Sequence, residues 1–302
     1  MNDSNNLFGN GLGVALATPF LPEGQIDEEG LVRLTQHVVA GGVDFLVALG
    51  STGEAAMLDE SERQRVVAIV AEHRGDAKLV VGTGTSATMS TCTWTRTAQE
   101  SGADAALIAV PPYTKPTQKG IVAHFAAVAK AVPELPLIAY NVPSRTGVNL
   151  TPKAVQELWQ IPTVVALKES SGDLNQIAQI ARQLPEGRML FAGDDALALP
   201  TIAVGGHGLI SVAGNVVPQE MSDLIAAARS SDLGAAQEQS ATLLPLFEAL
   251  NIEPNPIPIK AALALAGIAY SAPRLPLLPA SDETRATLKR ALQQTRSITI
   301  NV

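Results

Sequence analysis

Short apolar runs, rich in β-branched residues and bounded by turn formers, alternate along this chain with longer stretches whose apolar positions recur at helical spacing. The first pattern predicts buried strands and the second predicts amphipathic helices. Eight strand runs stand out: Val14 to Ala17, Phe45 to Leu49, Leu79 to Gly82, Ala105 to Val110, Leu137 to Asn141, Val164 to Lys168, Met189 to Gly193 and Gly208 to Val212. Helix starts between them are legible too. Asp59 followed by Glu62 has the spacing of a capping box, and Thr151-Pro152 sets a cap before a first-turn proline. Eight successive βα units predict an α/β fold, a closed (β/α)8 TIM barrel rather than an open doubly wound sheet.

Past the eighth strand the pattern is helical throughout: Gln219 to Ala227, Gly234 to Leu250, Ile257 to Ala269 and Asp282 to Gln293. The first completes the barrel and the other three form a small C-terminal helical domain. A soft boundary near residue 230 divides a barrel domain, 1–230, from an appendage, 231–302. The run from Glu253 to Pro258 breaks helix, because its prolines lack a donor and restrict the residues before them.

Composition narrows the function classes. A chain of 302 residues fits one barrel of roughly 250 residues with an extension. A net charge of -8, with no cluster of Lys and Arg, argues against nucleic acid as a partner. No basic segment precedes an apolar one at the start, and no apolar run is long enough to span a bilayer. We therefore expect a cytoplasmic protein with no membrane association. The single cysteine, Cys92, has no partner for a disulfide or a zinc cluster and reads as an idle thiol. Four scattered histidines do not make a metal triad, so no metal is expected.

In such a barrel, chemistry gathers at the C-terminal ends of the strands. Thr18 follows the first strand, Gly50-Ser-Thr-Gly-Glu54 the second and Pro111-Pro-Tyr113 the fourth. Tyr140 to Arg145 ends the fifth, Lys168 to Gly172 the sixth and Gly193-Asp-Asp195 the seventh. Lys168 closes the apolar run Val164 to Leu167, so its amine is expected in the barrel mouth, where desolvation favours the neutral, nucleophilic form. A strand-end lysine also serves as a snorkelling residue or as an ion partner, here of Glu169, and the residues alone leave both readings open. Likewise Tyr140 and Tyr113 suit packing as well as proton transfer. Ser51 and Thr52 suit a turn, and Arg145, beside Gly147, suits the surface as well as a carboxylate. Gly82-Thr-Gly84 reads as a turn, and Asp194-Asp195 as the opening of a helix.

The segments GSTGEAAML (50–58), YNVPSRTG (140–147), LKESSGD (167–173), AGDDALAL (192–199), GGHGLISV (205–212) and EPNPIPIK (253–260) resemble the dihydrodipicolinate synthase family, in order along nearly the whole chain. The resemblance implies a lyase that condenses pyruvate with L-aspartate 4-semialdehyde to 4-hydroxy-tetrahydrodipicolinate, on the route to lysine and diaminopimelate. It implies a homotetramer without metal or organic cofactor. It further implies that Lys168 forms the Schiff base and that Tyr140, Ser51 and Tyr113 form a proton relay, Tyr113 being supplied by a neighbouring subunit. Thr52 and the Ile210 backbone would bind pyruvate, Gly193 would line the substrate site, and Arg145 would hold the carboxylate of the semialdehyde.

Two departures qualify the match. Ser51 stands where the family more often has Thr, and GSTGE also resembles N-acetylneuraminate lyase. A pyruvate-dependent aldolase or lyase acting on a sugar acid is thus the alternative activity, and a non-catalytic pyruvate-binding paralogue the alternative of another class. The lyase lacks the Ser-Arg-Thr segment, and the intact Lys168, Tyr140, Tyr113 and Arg145 argue against a binder. Lysine-sensitive members carry Asn, Glu and Tyr where this chain has Ser86, Ser90 and Pro112, so lysine inhibition is expected to be weak or absent.

Overall fold

A computed structural model describes residues 7–270 and 272–295, so the last seven residues of the expected appendage lie outside the described residues. Eight parallel strands close in sequence order into one barrel: β1 (Leu12–Ala15), β2 (Phe45–Ala48), β3 (Lys78–Gly82), β4 (Ala105–Ala109), β5 (Leu137–Asn141), β6 (Val164–Glu169), β7 (Met189–Ala192) and β8 (Gly208–Ser211). Between them run α1 (Glu28–Ala40), α2 (Glu60–His73), α3 (Thr88–Glu100), α4 (Gln118–Ala131), the short α5 (Pro143–Thr146), α6 (Pro152–Leu158), α7 (Leu174–Arg182) and α8 (Ala198–Ala203). Then follow α9 (Pro218–Arg229), α10 (Leu233–Ala249), α11 (Ile257–Leu265) and α12 (Asp282–Gln293).

The expected caps form. Asp59 and Glu62 make a complete capping box at α2, and the Thr151 hydroxyl accepts the Ala154 N–H at α6. Several expected boundaries shift, two of them for a visible reason. β1 starts two residues early because Gly13 belongs to it: a Cβ there would lie 2.1 Å from the Phe45 ring, so only glycine lets that strand pass. α11 stops at Leu265 rather than Ala269, because Gly267 takes left-handed backbone (φ 69°) and the Gly267 and Ile268 N–H groups turn back to Ala264 and Leu263.

Strand alternation sends one set of side chains into the barrel and the other against the helices. Towards the N-terminal end, Phe8, Phe45 and Phe191 close the interior edge-to-face, with centroids 5.2 to 5.6 Å apart. Val47, Val80, Ile138, Ala166 and Ile210 fill the interior further up, and Tyr140 stands in the same cluster. The bottom is thus solid, and polar groups have room only at the strand C-termini.

The helices beyond α9 do not carry a separate core. Leu243, Leu246 and Phe247 of α10 and Leu288 and Leu292 of α12 join the apolar cluster that contains Leu31 and Leu34 of α1 and Val66 and Val70 of α2. This shared packing brings the link between α10 and α11 over the mouth of the barrel.

Candidate active site

Lys168 owes its position to one extra residue. Leu137 of β5 pairs with Val164 of β6, but the next residue, Ile138, pairs with Ala166, leaving Val165 as a bulge. Val164 packs outside the barrel and Ala166 inside, and from there alternation puts Leu167 out and Lys168 in. Lys168 is 4% exposed, at the top of an apolar interior. Its neighbour across the ladder is Tyr140, whose ring centroid lies 4.5 Å from Nζ.

The same alternation separates Lys168 from Glu169. Glu169 points outward to Asn141, whose amide donates to both carboxylate oxygens at 3.0 Å, and it also accepts the Ser171 N–H at 2.7 Å. Burial pushes the Glu169 carboxyl above its usual range, opposed by hydrogen bonds from Ser171, Asn141 and Gln176. The ion-pair reading of Lys168 is therefore set aside: Glu169 serves a buried amide network behind the barrel wall.

Around the amine opens a cavity of about 520 Å³, lined by Ser51, Thr52, Tyr140, Arg145, Gly193 and Lys168 among others. Gly193 passes so close to the lysine that a Cβ there would sit 2.7 Å from Lys168 Cε and 1.9 Å from Ser170 Oγ. The turn with Ser51 and Thr52 is held by the Thr18 hydroxyl, which donates to Gly53 O at 2.8 Å. Left-handed backbone at Leu49 (φ 58°) and Glu54 (φ 51°) flanks that turn. Arg145 lies on α5, which ends in left-handed Gly147 (φ 77°) and so aims the guanidinium over the mouth. Its Nη2 donates to the Asn255 carbonyl at 2.7 Å.

Two expected residues do not line this cavity. Ile210 is fully buried in the barrel interior, and Val212 rather than Ile210 lines the cavity. Tyr113 is 90% exposed with left-handed backbone (φ 71°), outside the cavity formed by its own chain. An adjoining apolar chamber of about 340 Å³ shares Ser51, Tyr140 and Arg145 with the main cavity and reaches Met57, Pro112 and Leu277.

The pattern of strand ends did not reveal the far wall. Residues 250–255 form it, and Asn255 joins three parts of the site: its carbonyl takes Arg145 and its amide donates to the Thr52 hydroxyl at 3.0 Å. The one local signal was the proline-rich break, which frees backbone groups from helix. Asp194 caps a single 3-10 turn, as expected of a helix opener. Asp195 also ties β7 to β8, accepting from the Ser211 hydroxyl at 2.5 Å and from the Val212 and Ala213 N–H groups. Burial raises its carboxyl above the usual range against those bonds.

Fold and site together define a (β/α)8-barrel enzyme whose cavity, at the strand C-termini, holds a buried lysine. A model of the dihydrodipicolinate synthetase family matches residues 9–295. The 4-hydroxy-tetrahydrodipicolinate synthase of Thermosynechococcus vestitus is 45% identical over 279 residues, covering 92% of this chain and 94% of that protein. That of Thermomicrobium roseum is 45% identical over 280 residues, with 92% of each chain covered. Among solved structures, dihydrodipicolinate synthase from Aquifex aeolicus matches with a TM-score of 0.91 at 40% identity, covering 94% of this chain and 97% of its own. A structure described as the first monomeric dihydrodipicolinate synthase variant matches with a TM-score of 0.93 at 37% identity, covering 97% and 98%. The chain belongs to the dihydrodipicolinate synthetase family.

Proposed function

We propose that this chain is a lyase that condenses pyruvate with L-aspartate 4-semialdehyde to give 4-hydroxy-tetrahydrodipicolinate. The observation that carries the proposal is the placing of Lys168: buried, without a carboxylate partner among the described residues, beside Tyr140 and inside a cavity rimmed by Arg145. The names of the curated relatives support the same reading.

Lys168 Nζ attacks the ketone carbon of pyruvate, water leaves, and the protonated imine becomes an electron sink. Loss of a methyl proton gives the enamine, whose carbon attacks the aldehyde. The amine of the semialdehyde then displaces Lys168 as the ring closes. Tyr140 moves protons at the reacting centre, and a phenol is a weak acid that needs a partner route. Ser51 is the next hydroxyl on that route, and Tyr113 of a second copy is the third, in a homotetramer acting in the cytoplasm. Thr52 and the Ile210 backbone, two residues before the cavity-lining Val212, hold pyruvate, Gly193 leaves room for the substrate beside the amine, and Arg145 takes the carboxylate of the semialdehyde. In this scheme the 1–230 unit carries the chemistry, and residues 250–255 of the 231–302 unit cover its mouth. Exposed Ser86 and Ser90 and the chamber residue Pro112 offer little to an amino-acid effector, so we expect weak or no inhibition by lysine.

Borohydride trapping tests the reading. Incubation with pyruvate followed by reduction should add the pyruvate mass to the Lys168 peptide, and adding the semialdehyde should diminish that adduct. An unlabelled Lys168 in folded protein refutes it.

A further inference from the structure

Behind the turn that carries Ser51 and Thr52 lies a pair of charges that the chemistry above does not use. Glu54 ends the turn and is 3% exposed, and Lys260 of α11 is wholly buried. One carboxylate oxygen of Glu54 accepts from Lys260 Nζ, and the other accepts the Arg274 N–H at 2.9 Å. Lys260 also donates to Ala272 O at 3.1 Å and stands 4.0 Å from the centroid of the Phe20 ring. Burial brings the Lys260 amine down to about 8, with Glu54 pulling it back up.

Stability alone is a poor reason for such a pair, since apolar side chains of similar volume often serve as well or better in its place. Its geometry supplies another reason. The Glu54 N–H donates to Ser51 O at 3.2 Å and the Gly53 N–H to Gly50 O at 3.1 Å, so whatever pins Glu54 pins the whole turn. Asn255, just before α11, meanwhile holds the Thr52 hydroxyl. The start of α11 therefore grips the turn at two points, Asn255 from the cavity side and Lys260 from behind.

We propose that Glu54 and Lys260 are positioning residues, whose buried ionic bond sets the Gly50–Glu54 turn so that Ser51 and Thr52 meet pyruvate once it is joined to Lys168. The role rests on the function proposed above, and the test separates the two. Exchange of the pyruvate methyl protons for solvent deuterium, followed by NMR, reports enamine formation without the second substrate. Borohydride trapping counts the sites that form the imine, and thermal melting reports folding.

The double variant Glu54→Gln/Lys260→Met replaces the charged pair with a neutral one of similar shape. It should melt near the wild-type temperature and still trap pyruvate on Lys168. Exchange per trapped site should fall roughly 10- to 100-fold, the cost of a small misplacement of reacting groups. Glu54→Asp, which keeps both charges but shortens the reach, should lose exchange likewise and decides the matter if the double variant does not fold. Exchange at the wild-type rate per trapped site, in whichever of the two is folded, overturns the positioning role. Failure of the wild-type chain to label Lys168 overturns the function proposal and this role with it.

Discussion

At the scale of single residues, small geometric facts set Lys168 apart from a solvent-facing strand-end lysine. Tyr140 faces Lys168 across one ladder position, so Tyr140→Phe should lower kcat on the order of 10²-fold while leaving the KM for pyruvate nearly unchanged. A raised KM with kcat intact would remove Tyr140 from the relay. Gly193→Ala brings a methyl group within 2.7 Å of Lys168 Cε, and the lysine must then move. We expect adduct yield in the borohydride trap to collapse while melting falls only modestly, about 1–3 kcal/mol of overpacking. Normal yield would show that the site has more slack than the structure contains. The strand-end positions of Lys168, Tyr140, Ser51 and Thr52 were legible in the chain, because a run of apolar residues followed by polar ones marks a strand end. That Lys168 points inward was not. It depends on the bulge at Val165, which only the pairing with β5 defines.

At the scale of elements, local signals served well wherever a cap or a turn residue acts within a few positions. The capping box of α2 and the Thr151 cap formed where the sequence placed them. Thr151→Ala should cost about 1 kcal/mol, read as a lower denaturation midpoint, and Thr151→Ser should restore it. No change would mean that the bond from the Thr151 N–H to Gln118 Oε1 holds that helix start unaided. Signals acting across the chain were invisible. Asn255 looked like part of a linker until packing of α10 against α8 and α9, and of α12 against α10 and α11, placed it above the barrel.

At the scale of the whole molecule, stability should depend on pH through two histidines. Burial holds the rings of His124 and His207 below the ordinary imidazole range, with Arg229 adding to the effect at His207. A depressed folded value means that both states are neutral above about pH 6.5. Below it the unfolded chain takes up protons that the folded chain refuses, so the stability present at higher pH is lost as pH falls. Glu169 and Asp195, raised by burial, act in the opposite sense. His124→Gln isolates the histidine share: its denaturation midpoint should fall less than wild type between pH 7.5 and 5.5, and parallel curves would contradict the assignment. Lys260→Met should cost about 3–5 kcal/mol, since it strands the Glu54 carboxylate in the interior, and a melting temperature near wild type would show that water reaches the pair. The alternation of apolar and polar positions determined the number of βα units, their order and the strand ends that bear polar groups, because burial of each element depends on its own periodicity. Tertiary structure alone decided the inward phase of Lys168, the cover supplied by Asn255 and the Glu54–Lys260 bond. These join residues far apart in the chain, and only closing the barrel and packing the last helices against it brings them within reach.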